Sequence, residues 1–392
     1  MAKIIPRPSL PLLLLLAACS NGDGLSPTDP VSAPFLALGD RHVCLAEPSR
    51  TRCWGAGADG QLGIGVTPSD TTPVVLPDGA VFVALAAGQA HTCGIDASGG
   101  VFCWGSDRDG QLGLGAVAPE SCGAFPCSTR PRPIAGNLRF LALAAGLRFT
   151  CGLTTDSTVY CWGLNDVGQL GTVADRDSCG DGRCSRVPLA AAGGRAFASI
   201  TAGLSHVCAL DPRGTAFCWG YQGLIVVGQH TNATFIPDAA PVSGITFTGL
   251  SAGGYHTCGV TAGGSASCWG IDALGAGPAV LESATPVAVI GGIRFRAVYS
   301  ARFTTCGLDG EGAASCWGPN ISGEIGTGPV GSLQRFDQPE PVSGGLRFRT
   351  LEPGSSTYCG ITDQQATFCW GRGEFGELGA GHADVTTPVQ VP

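Results

Sequence analysis

His91-Thr92-Cys93-Gly94-Ile95-Asp96-Ala97-Ser98-Gly99-Gly100-Val101-Phe102-Cys103-Trp104-Gly105 reads as a β-hairpin. Two short runs rich in β-branched, aromatic and Cys residues flank a turn that ends in Gly. Setting Cys93 opposite Cys103 leaves Ala97-Ser98-Gly99 as a three-residue loop. The last residue of that loop class is left-handed and favours Gly. The same register places Gly214, Gly264 and Gly312 there in later copies, but Ser157 and Gln365 in the third and seventh. The first copy is one residue shorter and turns on Pro48-Ser49.

The Cys-Trp-Gly triplet recurs at Cys53, Cys103, Cys161, Cys218, Cys268, Cys316 and Cys369, and accounts for all seven Trp. The copies lie about fifty residues apart, the spacing of one propeller blade per repeat. A second Cys precedes each triplet, at Cys44, Cys93, Cys151, Cys208, Cys258, Cys306 and Cys359. Opposed residues of a hairpin stand close to disulfide distance. Alternation sends Cys103 to one face of the sheet and Trp104 to the other. Both faces are apolar, as a sheet packed between two others requires.

The fold expected is therefore all-β, a seven-bladed β-propeller with four antiparallel strands per blade. In a full repeat the strands read as Thr72 to Pro77, Val81 to Ala87, Thr92 to Asp96 and Val101 to Trp104. The first copy lacks the first of these, and Thr387 to Pro392 supplies a spare after the last. This offset predicts a ring closed by the C-terminal strand pairing into the first blade. Abundant Gly and Pro, with only 13% charged residues, suit short strands and tight turns.

The N-terminus reads as a processing signal, with basic Lys3 and Arg7, an apolar run from Leu10 to Leu16, then Ala17-Ala18-Cys19. Leu16-Ala17-Ala18-Cys19 resembles the lipobox of bacterial lipoproteins, which implies cleavage before Cys19 and lipidation of its thiol. Residues 1–18 are then a signal peptide, 19–33 a flexible tether and 34–392 the propeller. The expected location is an exported, membrane-anchored one, the outer membrane or cell surface. The remaining cysteines divide without remainder into the seven hairpin pairs and two local pairs, Cys122 with Cys127 and Cys179 with Cys184. Nine disulfides fit an oxidising compartment. Lys3 is the only Lys and the net charge is −8, which argues against nucleic-acid binding and excludes Schiff-base chemistry in the mature chain.

Gly88 to Cys93, Cys103 to Gly105 and Gly110 to Gly113 together resemble the regulator of chromosome condensation repeat. The resemblance covers roughly residues 34 to 392 and implies a seven-bladed propeller. Eukaryotic members of that family include the nucleotide exchange factor for the Ran GTPase, and exported bacterial relatives include a β-lactamase inhibitory propeller. The Gln-Leu-Gly element is clear at Gln61, Gln111 and Gln169, altered at Glu324 and Glu377, and reduced at Ala273 to Gly275. In the fourth copy an apolar run, Leu224, Ile225, Val226 and Val227, replaces it.

His42, His91, His206 and His256 each precede a paired Cys by two residues, while Phe149, Thr304 and Thr357 fill that slot elsewhere. Because both Cys persist without the His, a structural role is expected in place of a metal site. Asp59, Asp109, Asp166 and Asp272 recur in the connection after the triplet, which suggests Asx-type backbone bonds. No nucleophile elbow, paired acids or phosphate loop stands out, so no catalytic residue, metal or cofactor is expected. The leading expectation is a monomeric, lipid-anchored scaffold that binds a protein or other macromolecule without chemistry. Guanine nucleotide exchange by family analogy and a propeller hydrolase or lyase are the alternatives. Binding should reside where the repeat is broken, at Phe125, Arg183 and Leu224 to Val227, with Phe125 the aromatic anchor.

Overall fold

A computed structural model describes residues 34–174, 177–179, 182–221, 235–328, 334–381 and 383–392. Seven antiparallel sheets form the blades of a propeller. The first blade runs through Phe35–Leu38, His42–Glu47, Arg50–Gly55 and Asp70–Val75, paired in that order. The other six repeat this up-and-down pattern, each from one continuous stretch of chain. Blades two and three carry a fifth short strand, Glu120–Cys122 and Asp177–Cys179, beyond the outer edge. The first strand of every blade lines the central channel.

The topology corrects the expected closure. Asp70–Val75 pairs with Arg50–Gly55 and is the outer strand of the first blade, so that blade is already complete. The C-terminal strand Val385–Gln390 pairs with Thr367–Gly371 in the seventh blade instead. After each Cys-Trp-Gly triplet the chain loops back onto the hairpin it has just left. Repeat spacing alone does not say which of two hairpins the next strand joins. The ring closes by side-chain packing, with Leu36, Leu38 and Trp54 of the first blade against Ile361, Leu378 and the Cys359–Cys369 pair of the seventh.

Every junction is built the same way. The cysteines from Cys44 onward form nine disulfides, and in the hairpins the paired Cα atoms stand 4.0–4.1 Å apart. Each hairpin disulfide presents its sulfurs to the Trp of the following blade; Cys44 and Cys53, for example, share a core with Trp104. All seven Trp are fully buried. The indole Nε1–H of Trp104 donates to Gln61 O at 2.9 Å, that of Trp162 to Gln111 O at 3.0 Å, and that of Trp54 to Glu377 O at 3.0 Å. The last of these closes the ring. The counterpart loop for Trp269 lies outside the described residues.

The triplet Gly is fixed by two constraints at once. Gly105 has φ of 101°, and a Cβ there would stand 2.5 Å from Ala90 O. The fourth strand bulges opposite the Trp, so Cys103 and Gly105 pair with Arg132 and Ser128 while Trp104 is passed over. In the hairpin turns, Gly99, Gly214, Gly264 and Gly312 have φ of 80–82°. Ser157 and Gln365 adopt the same left-handed backbone, at 69° and 64°, without the freedom of Gly.

A left-handed non-Gly residue costs roughly 1–2 kcal/mol, part of which Gly returns as unfolded-state entropy. Ser157→Gly and Gln365→Gly should each raise stability by about 0.5–1 kcal/mol, read as the shift in urea midpoint. Gly99→Ser should move it by a similar amount in the opposite direction. For closure, Trp54→Phe should cost about as much as Trp104→Phe, roughly 1–2 kcal/mol for one lost bond to a carbonyl. A negligible cost at Trp54 alone would contradict closure by this contact.

Candidate binding surface

The two cysteine insertions fold as matching hairpins on adjacent blades. Cys122 pairs in register with Phe125 and Cys179 with Gly182, and each hairpin is closed by its own disulfide. Asp107 N–H donates to Pro126 O at 2.8 Å, and Asn165 N–H donates to Arg183 O at 2.7 Å, so both are rooted alike. Both leave the blade on the face that carries the connections between third and fourth strands, here the loop face. Phe125 is 41% exposed, and the Arg108 guanidinium carbon lies 4.4 Å from its ring centroid. Arg183 is exposed on the neighbouring hairpin. Cys19 and Leu224 to Val227 lie outside the described residues.

Buried acids underlie this surface. Asp107 is fully buried, and burial pushes its carboxyl up to about 6, against the opposing pull of the Leu112 and Ala118 N–H groups and of Arg186. Asp109 is also raised by burial, with Arg148 at 3.7 Å and Arg108 acting the other way. Arg132 is tied to Glu120 of the first Cys hairpin at 3.0 Å, and Arg130 to Asp78, in the connection between the first and second blades, at 3.0 Å.

The recurring Asp residues do not make the expected Asx bonds. The Gln side chains do this work: Gln61 Oε1 accepts from Asp59 N–H at 2.8 Å, and Gln111 Oε1 from Asp109 N–H at 2.8 Å. Asp107, Asn165 and Asn320 bond the loop from its other end, accepting from Leu112, Leu170 and Ile325 N–H. Asp166 accepts from the Gln169 amide, and Asp272 pairs with Arg335 at 3.0 Å.

The four histidines join blades. His42 Nε2 lies 2.8 Å from Thr92 Oγ1 of the next blade, and His91, His206 and His256 reach Thr150, Thr257 and Thr305 at 2.7–2.9 Å. Thr92 Oγ1 in turn donates to Gln61 O at 3.1 Å, so it accepts from the imidazole N–H. Where the slot changes, the facing residue changes with it. Phe149 shares a core with Val207, and Thr304 Oγ1 meets Tyr358 Oη at 3.2 Å. Each ring also lies on a Gly: a Cβ on Gly88 would be 2.2 Å from His91 Cε1 and 2.4 Å from Gly146 O. The signal for this was present in the sequence, but only by comparing the slot of one copy with the following residue in the next copy.

Residues 50–392 match the profile of the RCC1-like domain. The chain belongs to the RCC1-like domain family. The ultraviolet-B receptor UVR8 of Arabidopsis thaliana is 28% identical over 230 residues, which cover 55% of this chain and 49% of the receptor. The chain thus spans about half the length of that curated relative. Human WBSCR16 superposes with a TM-score of 0.75 at 19% identity, covering 88% of this chain and 94% of that one. Yeast RCC1 (Prp20), solved with Kap60 bound, gives 0.74 at 20% identity, covering 88% and 83%. These two likenesses are of fold.

In this RCC1-like ring the channel is walled by Ala, Gly, Leu and Ser, and Asp40, Arg302, Arg349 and Glu352 are its charged residues. Backbone bonds run from blade to blade around its loop-face mouth, such as Gln89 N–H to Leu147 O at 3.1 Å. Among the described residues, no group of three or more His, Cys, Asp or Glu is placed to hold a metal ion.

Burial lowers His42 and His206 to about 4, and His91 and His256 to about 3. The unfolded chain takes up these protons near the ordinary value of 6.5, so it binds more protons than the folded ring below that pH. Stability present above pH 6.5 is therefore lost as pH falls toward 4, by on the order of 2–3 kcal/mol per histidine by pH 4.5. Transplanting the third-blade pair, as His91→Phe with Thr150→Val, should fold and remove close to one proton from the linkage. Denaturant midpoints at pH 7 and pH 4.5 for both proteins check this.

Proposed function

We propose that this RCC1-like propeller is a non-catalytic binding scaffold, exported and held at a membrane by lipid on Cys19, whose protein partner docks on the twin hairpins. One observation carries the reading. The repeated positions are consumed in blade packing, whereas the hairpins add an exposed aromatic, Phe125, already held by Arg108. Interface anchors are enriched in aromatic and Arg side chains, and rigid loops on a stable frame are where such anchors sit. The yeast structural neighbour was solved with a protein, Kap60, bound, which is in keeping with a protein partner for this chain. Nine disulfides support an oxidising location, and the Leu16-Ala17-Ala18-Cys19 motif supports the lipid.

The double variant Phe125→Ala with Arg183→Ala tests the site. A partner captured from the native envelope should bind it about tenfold or more weakly, the loss expected of interface anchors. The melting temperature and disulfide map should not change, since neither side chain belongs to a blade core. Undiminished capture would move the site to the turn face or the channel.

A further inference from the structure

We infer that the propeller stands on the membrane through the face carrying its hairpin turns, with the Cys hairpins directed away from the lipid. The inference rests on the proposed anchor at Cys19 and adds an orientation to it. Strand polarity sets the geometry. Phe35–Leu38 runs toward the loop face, because the turn Gly39 to Arg41 that follows it lies there. Pro34 therefore enters the channel wall from the opposite, turn face, which also carries the turns at Pro48-Ser49 and Ala97-Ser98-Gly99. Phe125, Arg108 and both hairpins belong to the loop face.

Length then favours one face for the lipid. Residues 20–33 can span at most about 50 Å fully extended. A chain of their Gly, Ser, Asp and Pro composition spans about 20 Å on average. A six-residue strand makes the ring about 20 Å thick, and the three spacings between four strands put its rim about 15 Å beyond the channel wall. To bring the loop face to the membrane, the tether would have to run outward under the blades and up past the rim, roughly 35 Å, well beyond its average span. With the turn face down, the average span suffices.

Charge points the same way. Exposed Arg50, Arg139, Arg195, Arg213, Arg294 and Arg347 ring the turn face. The same face also carries carboxylates: Glu47 pairs with Arg50 at 2.7 Å and Glu311 with Arg347 at 3.6 Å. Asp96, Asp211 and Asp309 accept from the N–H groups of their own turns, and Asp156 and Asp363 are exposed. The loop face carries Asp40, Asp59, Asp166, Asp272, Glu374 and Asp384 against exposed Arg41, Arg108 and Arg183, with Arg41 paired to Asp40 and Arg335 to Asp272. The first face is close to balanced and the second is the more acidic, so an anionic lipid surface repels the second more strongly.

The chain offers an unusual reporter, since its only Lys is Lys3, upstream of the proposed cleavage. Arg213→Lys would place a single amine on the turn face, and Ser121→Lys would place one on the first Cys hairpin. The full chain, extracted from membranes, is reconstituted into phosphatidylethanolamine–phosphatidylglycerol vesicles and treated with an impermeant amine-reactive reagent. The same protein in detergent is the reference. We expect vesicles to slow labelling of Arg213→Lys severalfold and to leave Ser121→Lys unchanged. Protein that floats with vesicles but shows shielding at Ser121→Lys, or equal labelling at both sites, overturns the orientation and leaves the anchor standing. Protein that does not float, with the Ala18–Cys19 bond intact by mass spectrometry, overturns the anchor and the orientation with it.

Discussion

The ring depends on one contact, the indole of each blade laid against the disulfide of the blade before it. A buried Trp removes a large apolar surface from water but leaves an N–H that must find an acceptor. The Gly-Gln-Leu-Gly loop provides it, offering the Gln61 carbonyl to Trp104 and the Gln111 carbonyl to Trp162. The Gln side chain holds that carbonyl in place by taking the N–H two residues earlier. The disulfide gives the indole a compact apolar floor and closes a loop of about ten residues, worth roughly 2–3 kcal/mol in the chain-entropy model. The Cys, Trp, Gly and Gln elements thus form one device divided between two blades. At Glu324 and Glu377 the side-chain NH2 donor is lost, but a carboxylate oxygen accepts the same N–H two residues earlier and the turn persists.

The hairpin was legible because its constraints are local. Opposed cysteines, a period of two and a loop needing one left-handed residue fix the register within fifteen residues, and they do so even where Ser157 or Gln365 takes the strained position. Phe125 was legible as a break in the repeat, and the structure leaves it exposed. Relations between copies were harder to read. The strand Asp70–Val75 lies between two hairpins in sequence, and nothing in its residues favours the earlier one. Likewise Asp109 recurs visibly, but its neighbour Gln111 supplies the hydrogen bond, because the longer amide reaches back across the turn.

Pairing across the junctions follows a rule of shape and polarity. A His meets a Thr, Phe149 meets Val207, and Thr304 meets Tyr358, whose hydroxyl fills the space a ring leaves and also donates to Tyr299 O. The Gly beneath the slot obeys the same economy of space. Ala301 stands there only where the slot holds the small Thr304, since under a His ring a Cβ would collide. Each junction can therefore vary if its two sides vary together, while the next junction is untouched. That independence is what nearest-neighbour stability in a repeat protein requires.

Such a frame has consequences for recognition. Its repeated side chains are committed to neighbours, so new specificity enters most easily as added segments at the end of a blade. Added segments ordinarily cost conformational entropy when they bind. Here that cost is reduced in advance. Each added hairpin is cross-linked at Cys122–Cys127 or Cys179–Cys184, and each is hydrogen-bonded to its root at Asp107 or Asn165. Phe125 is further fixed by the guanidinium above its ring, and Arg108 is itself drawn toward the buried Asp109. An exposed aromatic held in one place by a cation and a disulfide gives up little freedom to a partner. Among the described residues it is the only aromatic side chain left exposed, which makes it the strongest candidate for an anchor.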